Sequence, residues 1–248
     1  MKMEIIGPLA LSLIAGLSTL IGGLFIYFKV KKTNEFIVFS LSFSISIMVC
    51  ISIFDLLPNS IPLILYNYGN ILGIIISILT FILGFLTIYL ITSKTNESSS
   101  LYKIGILSMI SLMLHNFPEG IAVFMSSYVN IKIGVKLFFA IVLHNIPEGI
   151  SIAVPIYYSG KSRAYALKLT FISGIAEPIG ALLSFLFLKN HISNLFISFI
   201  LIFVSGLMIS LSINEIYKEL KNYNLKYYSL IGYIFGIILF ALITIFIS

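Results

Sequence analysis

Eight apolar runs of about 20 residues, joined by short polar connections, leave this chain little choice of fold. A run of that length crosses a ~30 Å hydrocarbon core as a helix, and a helix satisfies its own backbone groups where no water can. The runs cover residues 5–28, 36–57, 71–92, 101–125, 133–157, 164–188, 195–217 and 227–247. Only 10% of the residues are Asp, Glu, Lys or Arg, against 59% hydrophobic, too few charges for a water-solvated surface. The expectation is an all-α integral membrane protein of eight transmembrane helices, multi-pass in the cell membrane, with residues 1–248 forming one domain. The first run is longer than the h-region of a secretory signal and no A-x-A pattern follows it, so it counts as a helix.

The basic residues report topology. Eleven of the fifteen, among them Lys29, Lys31, Lys32, Lys103, Arg163 and Lys221, fall in the connections after runs 1, 3, 5 and 7 or at the adjoining helix ends. Lys and Arg near span ends are retained in the cytoplasm, which places both termini outside. Because these charges are scattered in short loops, the net charge of +6 argues against a nucleic-acid partner and for the lipid bilayer. The one low-complexity stretch, residues 92–100 (TSKTNESSS), reads as a small cytoplasmic linker without histidine. His191 reads as an exposed loop residue. Cys50 is the sole cysteine, so any metal site must use nitrogen and oxygen.

Ionisable groups inside spans are expensive to insert and are functional candidates by default. They are Asp55, His115, Glu119, His144, Glu148, Glu177 and Glu215. Run 4 contains His115-Asn116-Phe117-Pro118-Glu119-Gly120 and run 5 contains His144-Asn145-Ile146-Pro147-Glu148-Gly149. On a helix, His at i and Glu at i+4 share a face, with Asn three residues before that Glu, so each copy offers an imidazole, an amide and a carboxylate. The proline cannot donate to the carbonyl four residues back, which leaves Leu114 and Leu143 with acceptors suited to a polar cavity. Run 6 adds Glu177 before Pro178 at a similar depth. Imidazole with carboxylate suits Zn2+ and also accepts Fe2+, Mn2+ or Co2+, while the lack of thiolates disfavours copper(I). Three carboxylates in a low-dielectric cavity cannot all stay ionised without a cation, so metal entry should expel protons. A motif repeated on antiparallel neighbours implies a pseudo-two-fold axis in the membrane plane, as in transporters built from inverted repeats.

HNFPEG, HNIPEG and SGIAEP, with a second run ending Ile53-Phe54-Asp55-Leu56-Leu57-Pro58, resemble the ZIP metal transporters over essentially the whole chain, and within them the bacterial ZupT-type branch. The resemblance implies a binuclear centre bridged by Glu119 and Glu148. One position would use His115, Glu119, His144 and Glu148, with His144 the firmer ligand of the two histidines. The other, richer in oxygen, would use Asn116, Glu119, Asn145, Glu148 and Glu177. It further implies an elevator-like movement that delivers divalent metal, Zn2+ first and Fe2+, Mn2+, Co2+ or Cd2+ beside it, to the cytoplasm. The chain departs from the family in carrying Asp55 where glutamate is commoner, and in its short histidine-free linker.

Asp55 and Glu215 are weaker candidates for guiding cations at the outer and inner mouths, since an interfacial carboxylate is often simply solvated. The rival function is an intramembrane metalloenzyme, a zinc hydrolase or a di-iron oxidase, although HExxH and paired Glu-x-x-His are both absent. A metal-gated channel is a further rival. Gly69/Gly73 and Gly232/Gly236 have the spacing of a helix-packing motif, which serves ordinary packing more often than a homodimer seam.

Overall fold

A computed structural model describes residues 2–28, 31–93, 100–187 and 194–247. Lys29, Lys94, Lys189, His191 and the middle of the polar linker lie outside the described residues. Among the described residues, eight helices are long and apolar enough to cross a membrane: α1 (Ile5–Tyr27), α2 (Thr33–Tyr68), α3 (Asn70–Leu90), α4 (Leu101–Val129), α5 (Ile131–Tyr158), α6 (Arg163–Phe187), α7 (Leu195–Tyr223) and α8 (Lys226–Ile245). Local chemistry sets several of the joints. Asn130 caps α5 by accepting from the Lys132 amide, and Ser162 caps α6 by accepting from that of Tyr165. The α7–α8 connection turns on Asn224 at φ 49°, a conformation asparagine tolerates better than most residues.

Two helices run further than their apolar stretches. α2 continues to Tyr68 and α7 to Tyr223, each through a single π-helical turn, Ser52–Leu56 and Ser212–Ile216. The turn changes the helical register, and Pro58 then enters in the first turn of the resumed helix, where its missing amide hydrogen costs little. α6 breaks in its middle, Arg163–Gly174 being followed by Ala176–Phe187. Pro178 is the cause: it cannot donate to the Gly174 carbonyl, and regular bonding resumes only with Ile179 to Ile175.

Helix partners follow a symmetric plan. α1 packs along α5, and α6 along α4; α2 packs with α8, and α7 with α3; α4 and α5 pack on each other. Exchanging α1 with α6, α2 with α7, α3 with α8 and α4 with α5 returns these pairings unchanged. Each exchanged helix crosses in the opposite direction to its mate, so the repeat is inverted. α3 and α8 lie outermost, with 22% and 17% of their most apolar stretches buried, whereas α5 is 71% buried. Gly73 packs against Leu65 of α2, and Gly232 and Gly236 against Phe39, Phe43 and Ser46 of the same helix, so the second pair serves packing within the chain, while Gly69 meets no neighbour and instead turns the α2–α3 connection at φ 78°.

Candidate metal centre

α4, α5 and α6 turn their polar residues into one place. His115, Asn116, Glu119, His144, Asn145, Glu148 and Glu177 are all buried, the most exposed being Glu119 at 8%. The closeness of the helices is made by the glycine ending each motif copy. A methyl group on Gly120 would collide with the Glu177 carbonyl, and one on Gly149 with the Thr19 carbonyl. Only glycine lets these backbones touch.

The two imidazoles converge on one carboxylate. His115 Nε2 lies 3.1 Å from Glu119 Oε1, and His144 Nε2 lies 3.0 Å from the same oxygen. His115 Nε2 also approaches Glu148 Oε1 at 3.6 Å. One ligand atom from each of His115, His144 and Glu148 can be chosen so that all lie within 4.8 Å of one another. On the far side, the Asn145 amide nitrogen donates to Glu177 Oε2 at 2.9 Å and to the Ala15 carbonyl at 2.9 Å. The Asn116 amide reaches the Ser173 carbonyl at 3.4 Å, and turned over it donates to Leu112 O at 3.0 Å and Glu148 Oε2 at 3.2 Å.

Several donor atoms here have no hydrogen-bond partner among the described residues: His115 Nδ1 and Nε2, Asn145 Oδ1, Glu148 Oε1 and Glu177 Oε1, although His115 Nε2 stands at ion-pair distance from Glu119. Buried polar atoms are rarely left so. Three of the five are oxygens with lone pairs, a set suited to a hard or borderline cation. Every ion pair of the centre among the described residues is between histidine and glutamate, with no lysine or arginine to neutralise the carboxylates.

Asp55 and Glu215 occupy matching π-turns but meet different surroundings. Asp55 is half-buried, accepts from Asn59 Nδ2 at 2.6 Å, and lies within electrostatic reach of His144, Glu119 and His115. Glu215 forms an ion pair with Lys103 at 3.1 Å. One wall of the centre was not legible in the motifs. α1 carries no ionisable residue in its middle, yet its Ala15 carbonyl holds Asn145, and its Ser12 hydroxyl donates to the Glu177 carbonyl at 3.2 Å. A glycine spacing shared by α1 and α6 was the available signal.

Comparison with known proteins gives the family. The family model described as ZIP Zinc transporter matches residues 92–244. The chain is 37% identical to a protein of Chlorobium luteolum named zinc transporter ZupT, over 94% of this chain and 95% of that one. It is 36% identical to the Lysinibacillus sphaericus protein of the same name, over 94% of each. A third of that name, from Oceanobacillus iheyensis, is 37% identical over 93% of this chain and 94% of its own. With eight inverted-repeat helices and a buried His, Asn and Glu cluster where α4, α5 and α6 meet, the chain belongs to the ZIP family of membrane proteins.

Proposed function

We propose that this protein takes zinc across the cell membrane into the cytoplasm through a two-ion centre at mid-membrane. The observation that carries the reading is the convergence of seven buried residues with nitrogen and oxygen donors, five of whose atoms lack hydrogen-bond partners among the described residues. Relatives named zinc transporter ZupT, alike over nearly the whole chain, support zinc as the cargo. An intramembrane metalloenzyme has no support from family or site.

In this reading Glu119 and Glu148 bridge the two ions. His115 and His144 complete one position; Asn116, Asn145 and Glu177 complete the other. Entry of the cation replaces the histidine–glutamate contacts of the centre with bonds to metal, and ligands must shed their protons to bind, so uptake is coupled to proton release. Asp55 draws cations towards the centre, and Glu215 serves the opposite mouth. The oxygen-rich position also admits Fe2+, Mn2+, Co2+ or Cd2+. Both termini lie outside the cytoplasm, where the smaller share of the lysines is found.

The test is metal entry into proteoliposomes loaded with a metal-sensitive dye, comparing zinc, iron, manganese and cadmium. Saturable zinc entry by the wild type, lost in Glu119→Ala, is expected. Flux at single-channel rates, or wild-type entry in Glu119→Ala protein that folds normally, would overturn the reading.

A further inference from the structure

α1 and α6 share a spacing that the metal-binding motifs do not use. Gly16, Thr19 and Gly22 recur as Gly174, Glu177 and Gly180. The contacts match residue for residue. A side chain on Gly22 would strike the Ile146 carbonyl of α5, and one on Gly180 the Phe117 carbonyl of α4, these being equivalent positions of the two motif copies. Gly16 and Gly174 meet each other at the crossing of α1 with α6. A Cβ built on Gly16 would lie 3.2 Å from Glu177 Cβ, and one built on Gly174 would lie 3.3 Å from Thr19 Cβ. Gly120 abuts the Glu177 carbonyl as Gly149 abuts that of Thr19. The pseudo-two-fold axis that exchanges α4 with α5 therefore places Thr19 where Glu177 stands on the other flank.

Thr19 is fully buried, and its hydroxyl has no hydrogen-bond partner among the described residues. A helical threonine ordinarily donates to the carbonyl four residues back, as Thr80, Thr87, Thr170 and Thr244 do here. For Thr19 that carbonyl is Ala15, which already accepts from Ser18 Oγ at 2.6 Å and Asn145 Nδ2 at 2.9 Å. The asparagine that holds Glu177 thus occupies the acceptor Thr19 would have used. Glu177 meets Asn145, and the Asn116 amide reaches the Ser173 carbonyl as that of Asn145 reaches Ala15, so the same axis puts the Thr19 position on the Asn116 flank.

We propose that Thr19 is an oxygen donor to the transported cation or to a water in its shell, the uncharged counterpart of Glu177 on the Asn116 flank. Its neutrality makes the two flanks of the centre unequal: Glu177 supplies charge on one, and Thr19 a dipole on the other. A hydroxyl contributes less to binding than a carboxylate, and proportionally more to a hard cation than to a soft one. The inference rests on the metal-carrying role proposed above.

The experiment uses purified full-length protein in detergent. Equilibrium dialysis against Zn2+ and against Mn2+, with bound metal counted, compares the wild type, Thr19→Val, Thr19→Ser and Glu177→Gln. Thr19→Val keeps the shape and removes the hydroxyl; Thr19→Ser keeps the hydroxyl. Thr19→Val should weaken Mn2+ binding roughly three- to tenfold, the usual scale for a lost polar contact. Zn2+ should weaken less, and Thr19→Ser should match the wild type for both. Equal weakening in Val and Ser would assign Thr19 to packing, and no weakening in Val would leave it without a role; either overturns the proposal. Should Thr19→Val fail to fold, Thr19→Ala takes its place against Thr19→Ser. A wild type that binds neither metal, with Glu177→Gln no different, would sink the metal-carrying reading itself.

Discussion

The two copies of the His-Asn-x-Pro-Glu-Gly motif differ in sequence at one position, Phe117 against Ile146, yet their side chains do not form equal halves. Glu119 receives both imidazoles, whereas Glu148 is approached by one imidazole, that of His115, at 3.6 Å. His144 and Glu119 have side chains 8% and 10% exposed, while those of His115 and Glu148 are sealed. What surrounds the motifs differs as well. Asp55 lies within reach of the Glu119–His144 pair, but its counterpart Glu215 is held by Lys103. A duplicated sequence fixes which donors are present; their unlike neighbours make the two halves unequal.

The largest expected effect is that of Glu119→Ala, which removes the shared partner of both histidines. Zinc entry into proteoliposomes should fall by more than about 100-fold, beyond the range for losing a residue that only supports a ligand. Glu148→Ala should fall less, and equal losses would break the comparison. His144→Ala should cost roughly 10- to 100-fold in entry, with His115→Ala milder because the sealed imidazole stands further from the mouth. The opposite order would move the entry route to the other side.

Backbone contacts supply a control, since there the two copies are alike. Gly120→Ala and Gly149→Ala each drive a methyl into a neighbouring carbonyl and should destabilise by similar amounts, about 1–3 kcal/mol or more. Thermal melts in detergent would show whether the two shifts agree. Proton release provides a finer probe: zinc titrations in two buffers of differing ionisation enthalpy should reveal protons leaving as metal binds, and entry should decline as pH falls because protons compete for the same ligands. Equal heats in both buffers would exclude that coupling. Smallest should be the mouths, where Asp55→Asn lowers entry several-fold, on the scale of an exposed or half-buried charge, and Glu215→Gln lowers it less because Lys103 already opposes its charge.

Much of this was legible because lipid punishes error. A charge or amide in mid-span needs a reason, so His115, Asn116, Glu119 and their counterparts in α5 stood out, and the length of each apolar run gave the helix count. Other features left no such mark. α2 looks finished at Pro58, because nothing in the order of residues announces a π-turn that lets the helix resume. The break in α6 was signalled only in part, by Pro178, and its site at Gly174 emerges from the hydrogen bonds. Pairing between helices distant in the chain, α1 with α5 and α6 with α4, depends on backbone fit at glycines whose partners no local pattern names. For that reason the Ala15 carbonyl and the Ser12 hydroxyl escaped notice, although they brace Asn145 and Glu177.

The π-turns at Ser52–Leu56 and Ser212–Ile216 have a mechanical consequence. Each holds one residue of slack, and relaxing it to ordinary helix would rotate everything beyond it by roughly 100°, the angle between successive residues. Asp55 and Glu215 sit within these turns, so a relaxed turn would carry the backbone that bears the carboxylate round in one step rather than by degrees.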